Sequence, residues 1–115
     1  MKYQVKVTQL GDMAQDLMDA GTLIIFNENA PPELAEISVL HTMSDLNGSV
    51  EIGDRFVIGS HQYKVLDVGS EAVHTLREMG HCSLKFEGTN AQLPGEIVLD
   101  GDIPVVNIGD DIIIE

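Results

Sequence analysis

His41 closes the run Ile37-Ser38-Val39-Leu40 and opens the run Thr42-Met43-Ser44-Asp45. The first run reads as a strand and the second as a loop, so this imidazole stands where a buried sheet gives way to solvent. A neutral imidazole is a competent nucleophile near pH 7 without a dedicated base. That makes His41 the best chemical candidate in a chain that otherwise offers few. The bland alternative is a half-buried strand-end histidine bonded to backbone. The other three histidines read more simply. His61 adjoins the Gly59-Ser60 turn and reads as a packing residue on a mixed face. His74 follows Val73 on a helix and reads as exposed. His81 follows the helix stop Gly80 and reads as a capping or loop-anchoring residue.

Other chemistries have less local support. No histidine pair has the close spacing of a zinc or iron site, and no H-E-x-x-H occurs. Distant histidines could still converge in a barrel, so a three-ligand metal site stands as a third reading. There is no G-x-S-x-G elbow; Ile58-Gly59-Ser60-His61 lacks its second glycine. The glycines form neither phosphate-loop pattern, so nucleotide binding has no motif and no cofactor is expected. Cys82 alternates with Leu84 and Phe86 and reads as a small core residue. Asp110-Asp111 reads as a solvated loop.

The elements that must position these residues are short. Tyr3 to Leu10 alternates as a half-buried strand. A short helix follows Gly11, with Asp12 as its cap, Met13 and Leu17 on one face, and Gly21 as its end. Thr22 to Phe26 is a continuous apolar strand, and Pro31-Pro32 stops it. Pro32 to Glu36 can form one helical turn before the strand that delivers His41. Asn47-Gly48 is a turn signal. Arg55 to Ile58 and Gln62 to Val65 flank Gly59-Ser60 as a hairpin, with Ile58 opposite His61 and Phe56 opposite Tyr63. Ser70 to Met79 is the best helix, with Ser70 as cap, Val73, Leu76 and Met79 as apolar stripe, and Gly80 as stop. His81 to Phe86 alternates, and Ile97 to Leu99 and Ile112 to Ile114 are late strands. Turns recur roughly every 8–12 residues, the all-β spacing. The expected fold is all-β: one small closed or nearly closed antiparallel β-barrel over residues 1–115, with one or two short helices.

Charge narrows the partners. Nineteen acidic residues face six Lys and Arg, for a net charge of -13. Nucleic acid and anionic membrane bind through cationic contacts, so both are poor partners for this surface. A basic protein surface would be steered to it. The single cysteine rules out an internal disulfide and fits a reducing compartment. The start Met1-Lys2-Tyr3-Gln4 is not a signal peptide, and no apolar run can span a bilayer. Cytoplasmic placement without membrane insertion is the expectation.

Several segments together resemble one family. They are Leu40-His41-Thr42 with Leu46-Asn47-Gly48, Ile58 through Val65, Val68-Gly69-Ser70, Leu76 through His81, and Leu84 through Gly88. In this order they resemble the glucitol/sorbitol-specific enzyme IIA component of the bacterial phosphotransferase system, over nearly the whole chain. The resemblance implies a small β-barrel. It implies a phosphoryl group taken from the phosphocarrier protein HPr onto His41, at Nε2, and passed to the IIB part of a IIB/IIC sugar transporter. Some members carry a second histidine two positions later; here that position is Met43. Such a transfer needs Nε2 unprotonated, so a carbonyl or carboxylate should hold the proton on Nδ1. Thr42, Ser44, backbone N–H groups and His61 are candidate donors to the phosphoryl oxygens. The ring must be reachable, uncharged and correctly turned. A non-catalytic regulatory or binding module with the same acidic surface is the alternative.

Overall fold

The computed structural model describes residues 1–115. Eight strands close into a barrel: β1 (Tyr3–Leu10), β2 (Thr22–Asn27), β3 (Val39–His41), β4 (Arg55–Ile58), β5 (His61–Val68), β6 (Cys82–Lys85), β7 (Glu96–Leu99) and β8 (Asp111–Ile114). Around the ring their order is β1-β3-β2-β6-β7-β5-β4-β8. Three short helices accompany them: α1 (Ala14–Asp19), α2 (Pro32–Ala35) and α3 (Ala72–Met79). The closed barrel expected from the strand pattern is present, with one helix more than expected.

The pairing is mixed rather than wholly antiparallel. β2 runs parallel to β3, and β6 runs parallel to β7. Parallel neighbours need a crossover connection, which a two-residue turn cannot supply. Residues 28–38, containing the α2 turn, make the first crossover, and residues 86–95 make the second. Periodicity reports which residues face inward and carries no information on strand direction.

Alternation along the strands builds the core. Tyr3, Val5 and Val7 of β1 point inward and are buried, and Gln4 and Lys6 between them are exposed. Phe56 and Ile58 of β4, Leu84 and Cys82 of β6, and Ile112 and Ile114 of β8 join the same core. The β4–β5 hairpin has the register read from the sequence, Ile58 opposite His61 and Phe56 opposite Tyr63.

The helices differ in detail from their sequence patterns. α1 buries Ala14 and Met18, and Met13 is exposed; neither Asp12 nor any other side chain caps it. α3 starts at Ala72 without a side-chain cap from Ser70 and buries Ala72 and Leu76, leaving Met79 at the surface. α3 docks on β2 and β6, with Leu76 buried and Val73 packed on the core as the stripe predicts; only Met79 departs from it. Gly80 ends α3 as expected, in the left-handed conformation (φ 62°, ψ 25°). The long connection 42–54 is held by buried Leu46 and Val50 and by Asn47 N–H donating to Lys2 O at 2.8 Å. The Arg77 guanidinium donates to Gly48 O, tying α3 to that connection.

A barrel held by its interior should weaken when the interior is hollowed. Phe56→Ala is expected to lower the unfolding free energy by about 3–5 kcal/mol in urea titration. Val105, 76% exposed, should change it by less than about 0.5 kcal/mol when replaced by Ala. Equal effects at the two positions would contradict this assignment of the core.

Candidate functional site

His41 is the last residue of β3, two positions from Val39, so both project into the barrel. Its cross-strand partners are Val7 on β1 and Asn27 on β2. The ring lies edge-on to Tyr3, with centroids 6.2 Å apart. Its exposure is 0%. The sequence expectation of a reachable ring is therefore not met in this conformation: strand, helix end and tyrosine all close over it.

Both ring nitrogens meet carbonyl oxygens. Nδ1 is 2.7 Å from Thr42 O, and Nε2 is 2.8 Å from Gly80 O. Thr42 O is the kind of acceptor expected to keep a proton on Nδ1. Burial pushes the His41 pKa below its ordinary 6.5, and the two carbonyls and the charge of Glu28 oppose that shift without reversing it. The ring is thus neutral at pH 7. A neutral imidazole has one N–H, so one of the two carbonyls faces a lone pair.

The residues around it divide into those sequence reading foresaw and those it missed. Thr42 Oγ1 accepts the Lys6 N–H at 2.9 Å and Thr42 N–H donates to Lys6 O, extending the β1–β3 pairing past His41. Ser44 is exposed on the following loop. His61 is not part of the site. It lies on β5, four strands from β3 in either direction around the ring, and stacks on Tyr63. His74 is exposed. His81 anchors a loop as expected: Nδ1 is 3.1 Å from Ile25 O, and the ring stacks on Phe26 at 4.6 Å.

Asn27 and Gly80 carry no recognisable signal in the sequence beyond a loop start and a helix stop. Asn27 reaches His41 only through the parallel β2–β3 register. Its Oδ1 is buried without a hydrogen-bond partner. A Cβ placed on Gly80 would fall on Asn27 Oδ1 and lie 2.7 Å from His41 Cε1. No signal short of the strand pairing could have joined these three residues.

No three His, Cys, Asp or Glu side chains gather in a way suited to a metal ion. Cys82 is fully buried, and desolvation pushes its thiol up to about 12, which leaves it un-ionised and inert. No helix is long and apolar enough to cross a membrane.

The site is thus a neutral histidine enclosed at the end of a strand in a small closed barrel. Comparison with known proteins supplies the class. Residues 2–113 match the family described as PTS system glucitol/sorbitol-specific IIA component. The chain is 40% identical over 103 residues to the PTS system glucitol/sorbitol-specific EIIA component of Shigella flexneri, covering 89% of this chain and 84% of that protein. The Escherichia coli (strain K12) protein of the same description matches to the same extent. The crystal structure of the PTS system IIA component from Enterococcus faecalis V583 superposes with a TM-score of 0.88 at 26% identity, over 96% of this chain and 98% of that one. The chain belongs to the glucitol/sorbitol-specific IIA family of the phosphotransferase system, whose role is sugar phosphotransfer.

A buried neutral imidazole has a sign-definite effect on stability. Its folded pKa lies below the unfolded value, so the unfolded chain takes up the proton first as pH falls. The contribution of His41 is intact above about pH 6.5 and declines below it. The stability difference between wild type and His41→Gln, followed by thermal melts, should shrink from pH 8 to pH 5.5. A difference that grows with acidity would refute the neutral buried ring.

Proposed function

We propose that the protein is a phosphoryl relay that takes its phosphate from phospho-HPr onto His41 and passes it to the IIB part of a glucitol/sorbitol transporter. The reading is carried by one observation: in a chain of this family, the histidine ending β3 has Nδ1 2.7 Å from Thr42 O, a fixed main-chain acceptor. A proton held there leaves Nε2 as the nucleophile. Neutral Nε2 attacks phosphorus in line as the donor imidazole leaves. Donor and acceptor are chemically alike, so the transfer is close to balanced, and the protein supplies positioning rather than covalent chemistry. No nucleotide or metal takes part, and the relay belongs in the cytoplasm.

The surface nearby suits a basic carrier. Met43, 59% exposed, follows His41 by two residues, and Met79, 39% exposed, precedes Gly80. Exposed Glu28, Asp45 and Glu78 adjoin the same segments. This arrangement gives apolar contact with acidic surroundings, suited to a small transient interface.

The sealed ring favours a second reading, a binding module of the same family that docks without chemistry. One experiment separates them. Incubation with phosphoenolpyruvate and the general phosphotransferase proteins, followed by intact mass and site mapping, should show one acid-labile phosphoryl group on residue 41. His41→Gln, with its fold checked by circular dichroism, should take up none. Partner binding without label at any histidine would establish the module instead.

A further inference from the structure

The relay needs Nε2, and in this conformation Nε2 is covered. Gly80 O stands 2.8 Å from it, where an incoming phosphorus atom would have to approach. The covering group belongs to a glycine at φ 62°, ψ 25°, the residue that ends α3. Beside it, Asn27 Oδ1 is buried and has no partner. Asn27 stands next to His41 in the parallel register, and Gly80 packs between the two so closely that a methyl group would collide with both. An unpartnered buried acceptor is costly, and this one borders the same Gly80 position as the His41 ring edge at Cε1.

We propose that the Gly80 carbonyl is a removable plug over His41 Nε2, and that the Asn27 side-chain amide is the positioning donor that holds the phosphoryl group once the plug has turned aside. The proposal rests on the relay reading. The neutral ring explains why the plug can leave. With its proton on Nδ1 against Thr42 O, the Nε2 lone pair faces the Gly80 oxygen, and this contact lacks a hydrogen. Rotation about Gly80 ψ removes the oxygen. At positive φ this rotation passes into extended backbone that essentially only glycine occupies. It spares the Gly80 N–H bond to Leu76 O at 2.9 Å, so α3 keeps its last turn. It gives up the longer bond from His81 N–H to Thr75 O at 3.2 Å. The same peptide plane carries the His81 N–H opposite its carbonyl, so the turn also brings that donor toward Nε2. A half-turn of the Asn27 amide about χ2 exchanges Oδ1 for Nδ2, converting the idle acceptor to a donor.

The step balances without a further reactant. The Nε2 lone pair forms the new N–P bond as the N–P bond of the donor protein's phosphohistidine breaks. That electron pair returns to the donor nitrogen. The Nδ1 proton stays on His41, facing Thr42 O. Phosphoryl oxygens accept from Asn27 Nδ2 and His81 N–H.

The test uses full-length protein phosphorylated by phosphoenolpyruvate and the general phosphotransferase proteins. Asn27→Ala should lower the rate of label uptake at residue 41 by about tenfold, the kinetic weight of one charge-assisted hydrogen bond. Asn27→Ser keeps a donor and should recover part of that loss, with both variants melting cooperatively. In 15N-labelled wild type, phosphorylation should shift the Asn27 side-chain amide and the His81 backbone amide, reporting the donor and the plug without any substitution. Label uptake by Asn27→Ala at the wild-type rate, no advantage of Ser over Ala, or unmoved amide resonances would overturn the proposal. Wild type that takes no label at residue 41 would instead defeat the relay reading itself.

Discussion

One imidazole proton is shared out between two carbonyl oxygens, and the site turns on that shortage. Thr42 O and Gly80 O sit 2.7 and 2.8 Å from the two ring nitrogens. A charged ring would satisfy both, and burial disfavours the charge. The neutral ring therefore bonds well on one side only. Thr42 is the next residue along the chain and is pinned by its pairing with Lys6. Gly80 is the flexible end of a helix. The relay reading places the proton on Nδ1, against the Thr42 oxygen, and the lone pair on Nε2, against the Gly80 oxygen.

Barrel closure makes this arrangement possible. β3 is only three residues long and would not hold a ring in place by itself. It is gripped on one side by antiparallel β1 and on the other by parallel β2. The same closure puts β5 on the opposite side of the ring, so His61 is removed from a role that its residue type alone would allow. α3 then packs on β2 and β6 and sets its C-terminal glycine over the imidazole. Ring, Asn27 amide and Gly80 carbonyl thus come from three separate segments.

The acidic surface and the sealed ring are compatible features of a carrier. A net charge of -13 acts at a distance and orients a basic partner before contact. On the relay reading, a covered His41 is protected from adventitious reaction until a partner is in place. Exposed Met43 and Met79 lie within two residues of His41 and Gly80 respectively.

Local sequence signals were enough for a closed or nearly closed small barrel, the strand-end place of His41, the hairpin register at Gly59-Ser60 and the helix stop at Gly80. All of these follow from local signals: period-two alternation, turn residues and a glycine with left-handed φ. The family was legible too, because its segments recur in order. Tertiary structure alone decided that two strand pairs are parallel, since alternation is blind to direction. It alone turned α1 so that Met13 is exposed, and left Met79 of α3 at the surface, because packing outweighs a short helix's own pattern. It alone buried the ring of His41 and set Asn27 and Gly80 against it. Those residues lie far apart along the chain; the pairing of β2 with β3 sets Asn27 beside His41, and the docking of α3 brings Gly80 O within hydrogen-bond reach of the ring.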